Sequence, residues 1–173
     1  PTTTGILYSK KRPIEIIKQL FDVGTLFDEI TDYDSIVLAY DRMVREEIGF
    51  RKLNVDKRAV LMDTFNACLS ITMREAASED FRTLQMGINN ITNFILTRFK
   101  IEEAITASAK VATLATWLMR DREGVYPVRY KEPKQLLDLT IKDPAFTKLS
   151  KLKKSNPEAF FYWAQAVGFL SGR

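Results

Sequence analysis

Phe81, Leu84, Ile88, Ile91 and Ile95 recur at steps of three and four, the spacing that places side chains on one face of an α-helix. This is the clearest periodicity in the chain, and it predicts a helix over 79–99. The segment from Ile101 to about Arg120 has a different face. Ala104, Ala107, Ser108, Ala109, Ala112 and Ala115 are small, and most of them favour helix and let neighbouring helices approach closely. The two segments are expected to pack as an antiparallel pair at the centre of the domain.

The flanking regions follow the same logic. Pro13 suits a first helical turn, where its missing N–H costs nothing. Ile14, Ile17, Leu20 and Phe21 form that helix's face, and Gly24 is the expected stop. A short turn through Leu26 and Phe27 follows. Ser35 or Asp34 is expected to cap a helix carrying Val37, Tyr40, Val44 and Ile48 and ending at Gly49. Asn54 is expected to cap a third, with the stripe Leu61, Phe65, Cys68, Leu69, Thr72 and Ala76, before Ser78 breaks and recaps the chain. Gly124 to Lys131 reads as a loop around Tyr126-Pro127. Pro133 and Pro144 each open a short helix, the second capped by Asp143; Asn156-Pro157 opens the last, with Glu158 well placed in its first turn. The pattern predicts an all-α fold, a compact bundle of six to eight helices with little or no sheet. Residues 1–12 read as a flexible basic arm and 13–173 as one helical domain, with 125–173 a candidate smaller lobe.

Composition agrees. Over 173 residues, 46% apolar and 28% charged content is enough to build a core in one domain. Seven Gly and six Pro are few for an all-β chain. The single cysteine, Cys68, excludes an internal disulfide, and its place on an apolar stripe makes it a small core residue. No apolar run reaches the roughly 18 residues of a membrane span. The opening Pro1-Thr2-Thr3-Thr4-Gly5 lacks a basic segment followed by an apolar one, so no secretory signal, no membrane association and a cytoplasmic location are expected. Asn90-Ile91-Thr92 matches a glycosylation sequon, but it falls inside a helical pattern and reads as coincidence.

The missing chemistry narrows the function. There is no histidine, which removes the commonest general base, the usual zinc ligand and every Ser-His or Cys-His pairing. One cysteine builds no structural zinc site. Neither a P-loop nor a G-x-G-x-x-G turn occurs. The adjacent acids Glu46-Glu47, Glu79-Asp80 and Glu102-Glu103 would sit about 100° apart on a helix, and they read as surface charge. No catalytic residue, metal ligand or cofactor site is assigned, and a non-enzymatic protein is expected.

Charge is what distinguishes this chain. The net charge is +4, but from Asp22 to Asp41 there are six acids and no base. Residues 125–173 carry nine Lys/Arg against four acids, +5, and the remainder sums to −1. Three basic groups emerge as candidate nucleic-acid contacts. One is Arg129, Lys131, Lys134, Lys148, Lys151, Lys153 and Lys154, interleaved with Tyr130. Lysines neutralise phosphate and release counterions, while an aromatic face stacks on an unpaired base. Lys148, Lys151 and Lys154 would align on one face of a helix, with Leu149 and Leu152 turned inward. The second group is Arg51, Lys52, Lys57 and Arg58 around a helix start, and the third is Lys10, Lys11 and Arg12 in the arm. An ordinary solvated lysine face would show the same pattern.

Phe160, Phe161, Tyr162 and Trp163 cover most of a helix circumference, and Phe169 extends the apolar character. These five are either core or a partner-binding surface. In outline, a small basic helical domain without catalytic residues, the chain is similar to small helical nucleoproteins and to the small helical subunits of RNA-guided complexes, with no single motif carrying the likeness. The expected function is binding of nucleic acid, RNA or single strands favoured, by an oligomer or a subunit of a nucleoprotein complex. The alternative is a protein–protein adaptor docking through the aromatic C-terminal helix. The acidic stretch 22–41 and the basic stretch 129–154 could pair within one molecule or drive head-to-tail assembly between molecules.

Overall fold

Side-chain caps and prolines mark where helices begin, and a computed structural model of the chain describes them at residues 2–120 and 124–172. Seven α-helices form there: α1 (Pro13–Leu26), α2 (Tyr33–Arg51), α3 (Lys57–Met73), α4 (Glu79–Asn90), α5 (Ile101–Leu118), α6 (Leu152–Ser155) and α7 (Pro157–Leu170). Short 3₁₀ turns join them, the longest being Pro144–Lys151, which runs directly into α6. No strand occurs among the described residues, so the chain is an all-α bundle. No described helix is long and apolar enough to cross a membrane.

The caps often lie a residue or two from where the sequence points. Asp32, rather than Ser35 or Asp34, caps α2 by accepting the Ser35 N–H at 3.0 Å. Asp56, rather than Asn54, caps α3 through the Ala59 N–H at 2.7 Å. Each carboxylate fills the same physical role two or three residues from the expected cap. Ser78, Asp143 and Asn156 cap as expected, accepting from Phe81, Ala145 and Ala159. Gly49 does not end α2; the helix runs on to Arg51 and closes with Lys52 in the left-handed conformation, φ 53°. The predicted helix over 79–99 breaks at Asn90, whose side chain donates to the Met86 carbonyl at 2.7 Å. Asn competes for backbone partners and weakens helix here. A 3₁₀ turn follows, which still delivers Ile91 to the core at 0% exposure.

α5 is the central element, and its neighbours differ from the expected pair. α4 packs on α1 and barely meets α5; α7, α3 and α1 surround α5 instead. α3 is the antiparallel partner. Arg74, just beyond its end, pairs with Glu102 at the start of α5, while Leu61 joins Ala115 and Leu118 near the other end. α7 runs parallel to α5, because Asn156 bonds Thr106 at 3.0 Å and the Thr113 hydroxyl reaches the Tyr162 carbonyl at 2.8 Å. Small side chains set these distances. Gly24, inside α1, lies against Ala107, where an added Cβ would stand 2.8 Å from the alanine Cβ. Gly87 of α4 meets α1 so closely that a Cβ would overlap the Pro13 carbonyl. Both glycines serve close approach, so Gly24 marks a helix crossing rather than a stop.

Among the described residues, one charged side chain is buried. Lys110 of α5 is 8% exposed; it donates to Asp28 at 2.7 Å and pairs with Glu158 at 3.0 Å, with its ammonium over the Tyr162 ring. Burial alone would lower its pKa, but the bonds to Asp28 and Glu158 prevail and hold it above the ordinary lysine value. The Phe27–Glu29 turn, α5 and α7 are thereby tied at one point. The expected flexible arm is fastened as well. The Asp63 carboxylate on α3 accepts the backbone N–H and hydroxyl of both Thr2 and Thr3, at 2.6 to 3.0 Å.

Two predictions follow from this packing. Gly87→Ala should destabilise despite alanine's better helix propensity, whereas Gly49→Ala, with open space around its Cβ, should stabilise by about 0.4–1 kcal/mol; urea denaturation midpoints decide both. Lys110→Met should cost about 1.5–3 kcal/mol at pH 8. Because the folded pKa lies above the unfolded one of about 10.4, the lysine's contribution is complete below roughly pH 10 and lost as pH rises through the folded value. The gap between wild type and variant should therefore close only at strongly alkaline pH.

Candidate nucleic-acid interface

The lysine stripe lies on the 3₁₀ segment and the helix that continues it. A 3₁₀ helix has three residues per turn, so positions i and i+3 eclipse, with about 6 Å between them along the axis. Lys148 and Lys151 therefore stand one above the other, and Lys154 follows one turn on within α6. All three are exposed, while Leu149 is buried and Leu152 half-buried beneath them. Phe146 anchors the segment, its ring meeting Phe65 of α3 edge-on at 5.8 Å.

None of these three lysines has an acidic partner among the described residues. Two of the acids in 125–173 are committed elsewhere: Asp143 caps the 3₁₀ segment and Glu158 pairs with Lys110. Lys131 and Lys134, also exposed, sit beside and on the Pro133–Leu136 turn. Lys153 joins that region to the stripe. It donates to the Leu139 carbonyl at 3.0 Å and the Leu137 carbonyl at 3.4 Å, and its ammonium lies over the Phe160 ring. Lys153 thus ties the chain just after the Pro133–Leu136 turn to the segment that carries the stripe.

Several other candidates have structural occupations. Lys153 itself holds backbone, so it faces inward rather than toward a ligand. Arg129 donates to the Ile30 carbonyl at 2.5 Å. Tyr130 is half-buried, with its ring tilted against Phe161 at 5.5 Å and its backbone N–H donated to the Tyr162 hydroxyl. In the second group, Lys57 pairs with Asp41 at 2.6 Å and Arg51 with Glu47 at 2.9 Å. Lys52 closes α2, where a cation suits the helix dipole, and Arg58 is exposed. In the arm, Arg12 pairs with Glu15 while Lys10 and Lys11 remain exposed. No hydrogen bond or ion pair among the described residues links the three basic groups to one another.

The aromatic run is core. Phe160, Phe161, Tyr162, Trp163 and Phe169 are at most 8% exposed, so the partner-binding reading of these five gives way. A helix apolar all round must be covered all round. α5 covers one side of α7, and the Pro144–Lys151 segment, α6 and the Pro133–Leu136 turn cover others. The polar atoms are matched too: the Trp163 indole N–H donates to Thr72 Oγ1 at 3.1 Å. Cys68 lies in the same interior, where burial pushes its thiol up to about 12, far from nucleophilic at neutral pH. No three His, Cys, Asp or Glu side chains among the described residues converge as a metal site. Lys110 and Asp63 escaped the sequence reading, since a lone lysine among alanines and a lone aspartate on a helix carry no pattern.

Neither a family model, nor a curated protein, nor a solved structure matches the chain.

The two kinds of lysine should separate in stability measurements. Lys153→Gln is expected to cost about 1–2 kcal/mol, having lost its carbonyl bonds and its ring contact. Lys151→Gln should stay within about 0.5 kcal/mol of wild type, as exposed substitutions do.

Proposed function

We propose that this protein binds nucleic acid without catalysing a reaction, through the exposed surface carrying Lys148, Lys151 and Lys154 with Lys131 and Lys134 beside it. The observation that carries the reading is the stripe itself: three exposed lysines one turn apart, with no acidic partner among the described residues. A step of about 6 Å is comparable to the separation of successive phosphates along an extended single strand, so one strand can lie along the stripe with a lysine at each phosphate. Binding of this kind neutralises phosphate and carries no sequence information. Single strands, RNA among them, are the proposed ligand, because a flexible strand adapts its phosphates to a short row of lysines at little cost. Charge is the driving contribution, with Tyr130 only half-exposed beside it.

The test is a titration of labelled single-stranded RNA, single-stranded DNA and duplex at several salt concentrations. The wild type should bind single strands at about 50 mM salt, with affinity falling linearly on a log–log plot. The triple variant Lys148→Gln/Lys151→Gln/Lys154→Gln should bind unrelated sequences at least about tenfold more weakly. Its salt slope should be shallower by about 2, since each single-strand phosphate contact contributes roughly 0.7. All three positions are exposed, so an unchanged melting temperature should accompany the loss. A wild type that binds nothing at low salt, or a triple variant with unaltered affinity and slope, would leave the stripe an ordinary solvated face.

A further inference from the structure

The main hydrophobic core is complete without α2. Its buried residues come from α1, α3, α4, α5, α7 and the connecting segments, and no side chain of residues 33–51 is buried in it or packed against its edge. The inner side chains Tyr33, Ile36, Val37 and Tyr40 of α2 meet a separate, smaller cluster instead, formed by Leu61, Ala115, Trp117, Leu118 and Phe169. Those four stay half-buried, and of the 19 residues of α2 only Val44 is fully buried. Beneath the helix runs a half-open groove of about 770 Å³, with Ile36, Tyr40 and Met43 on the α2 side and Leu20, Val60 and Leu61 on the other. The latter three are at most 8% exposed in this closed arrangement.

The ties that hold α2 are unevenly placed. Its first turn is fastened: the Tyr33 ring meets Trp117 at 5.1 Å and stacks on Tyr126 at 5.5 Å, and the Tyr126 hydroxyl donates to Asp34 at 3.1 Å. Its middle is held by Val44 and by the Lys57–Asp41 pair. That pair is part-exposed, with 33% and 36% of its side-chain surface in water, so it is a weak tie. The last two turns are looser still. Arg45, Glu46, Gly49 and Phe50 are exposed there, and the pairs Arg42–Glu46 and Arg51–Glu47 join α2 only to itself.

We propose that α2 is a hinged cover, which opens as a unit while the main core stays folded. The rings around Tyr33 are the hinge, and Val44 with the Lys57–Asp41 pair is the latch. Opening withdraws one fully buried side chain and uncovers Leu61 and Leu118, whereas every residue of the main core keeps its neighbours. An element held this lightly opens at a free energy well below that of global unfolding. A helix of 19 residues released from its floor is marginal in water, so its amides exchange with solvent in the open form. The lysine stripe lies on other elements, and the device is tested without nucleic acid.

Native-state hydrogen exchange of the full chain, read peptide by peptide by mass spectrometry, tests this directly. Amides of 41–51 should exchange at least about 100-fold faster than those of α5. Val44→Ala should speed α2 at least about tenfold more, by removing its buried anchor. Lys57→Gln should speed it about twofold to fivefold, as loss of a part-exposed pair does. Gly87→Ala, at the crossing of α1 and α4, separates the cover from the whole: the closed and open forms share that crossing, so α5 should exchange faster while α2 keeps its wild-type rate. Circular dichroism checks that each variant folds, and Ile88→Ala in the main core serves if Gly87→Ala does not. An α2 as well protected as α5 overturns the proposal. So does a Gly87→Ala protein in which α2 and α5 speed up by the same factor, which means that α2 leaves only when the whole domain unfolds. Val44→Ala and Lys57→Gln variants whose α2 exchanges like wild type overturn it as well.

Discussion

The close packing around α5 constrains everything else in this molecule. Thirteen of its 18 residues are buried, and eight of those are alanine, serine or threonine. Small side chains provide few contacts of their own, so stability depends on how near the surrounding helices come. Gly24 permits α1 to touch Ala107, and the hydroxyls of Thr113 and Thr116 turn back to α5's own carbonyls, so no bulky polar group holds the helices apart. Lys110 is the exception. Its charge is tolerated inside because Asp28 and Glu158 reach it from two other elements, which also fixes the register of those elements against α5.

A slim central helix needs bulky partners, and α7 supplies them. Phe27 stacks edge-on with Tyr162, and Phe65 with Trp163, so the volume that α5 lacks is filled by rings from α7 and its neighbours. Placing α7 inside has a consequence for charge. The segment leading into it, Pro144 to Ser155, must lie outside as a cover, and a cover buries one edge and exposes the other. Leu149 takes the buried edge and Lys148, Lys151 and Lys154 the exposed one. The basic surface is thus a by-product of burying the aromatic helix, and Lys153 shows the two requirements meeting in one side chain, its ammonium spent on carbonyls and a ring.

The packing is not uniform. α2 is held by one fully buried residue, a cluster of Tyr33, Trp117 and Tyr126 rings at one end, and the Lys57–Asp41 pair at its middle. The loop after α4 turns Phe94 and Leu96 outward. Elements with few buried contacts open at lower free energy than the core. Gly87→Ala and Gly49→Ala contrast these regimes, one in a tight crossing and one on an open helix.

Helix content, most helix starts, the small-residue face of α5, the absence of histidine chemistry and the asymmetry of charge were determined by the sequence alone, because each depends on residues near one another in the chain. Proline geometry, side-chain caps and three-four periodicity act within one or two turns, and even there the cap moved from Asn54 to Asp56 when two acceptors competed. The tertiary structure decided what local rules do not reach. It made α3 the antiparallel partner of α5 in place of α4, since any helix with an apolar face satisfies the same periodicity. It buried Phe160 to Trp163, because whether an aromatic helix is covered by its own domain depends on what surrounds it. It sorted lysines of identical local pattern into the outward Lys151 and the inward Lys153, because carbonyls at Leu137 and Leu139, fourteen and more residues away, happen to lie within reach of only one of them.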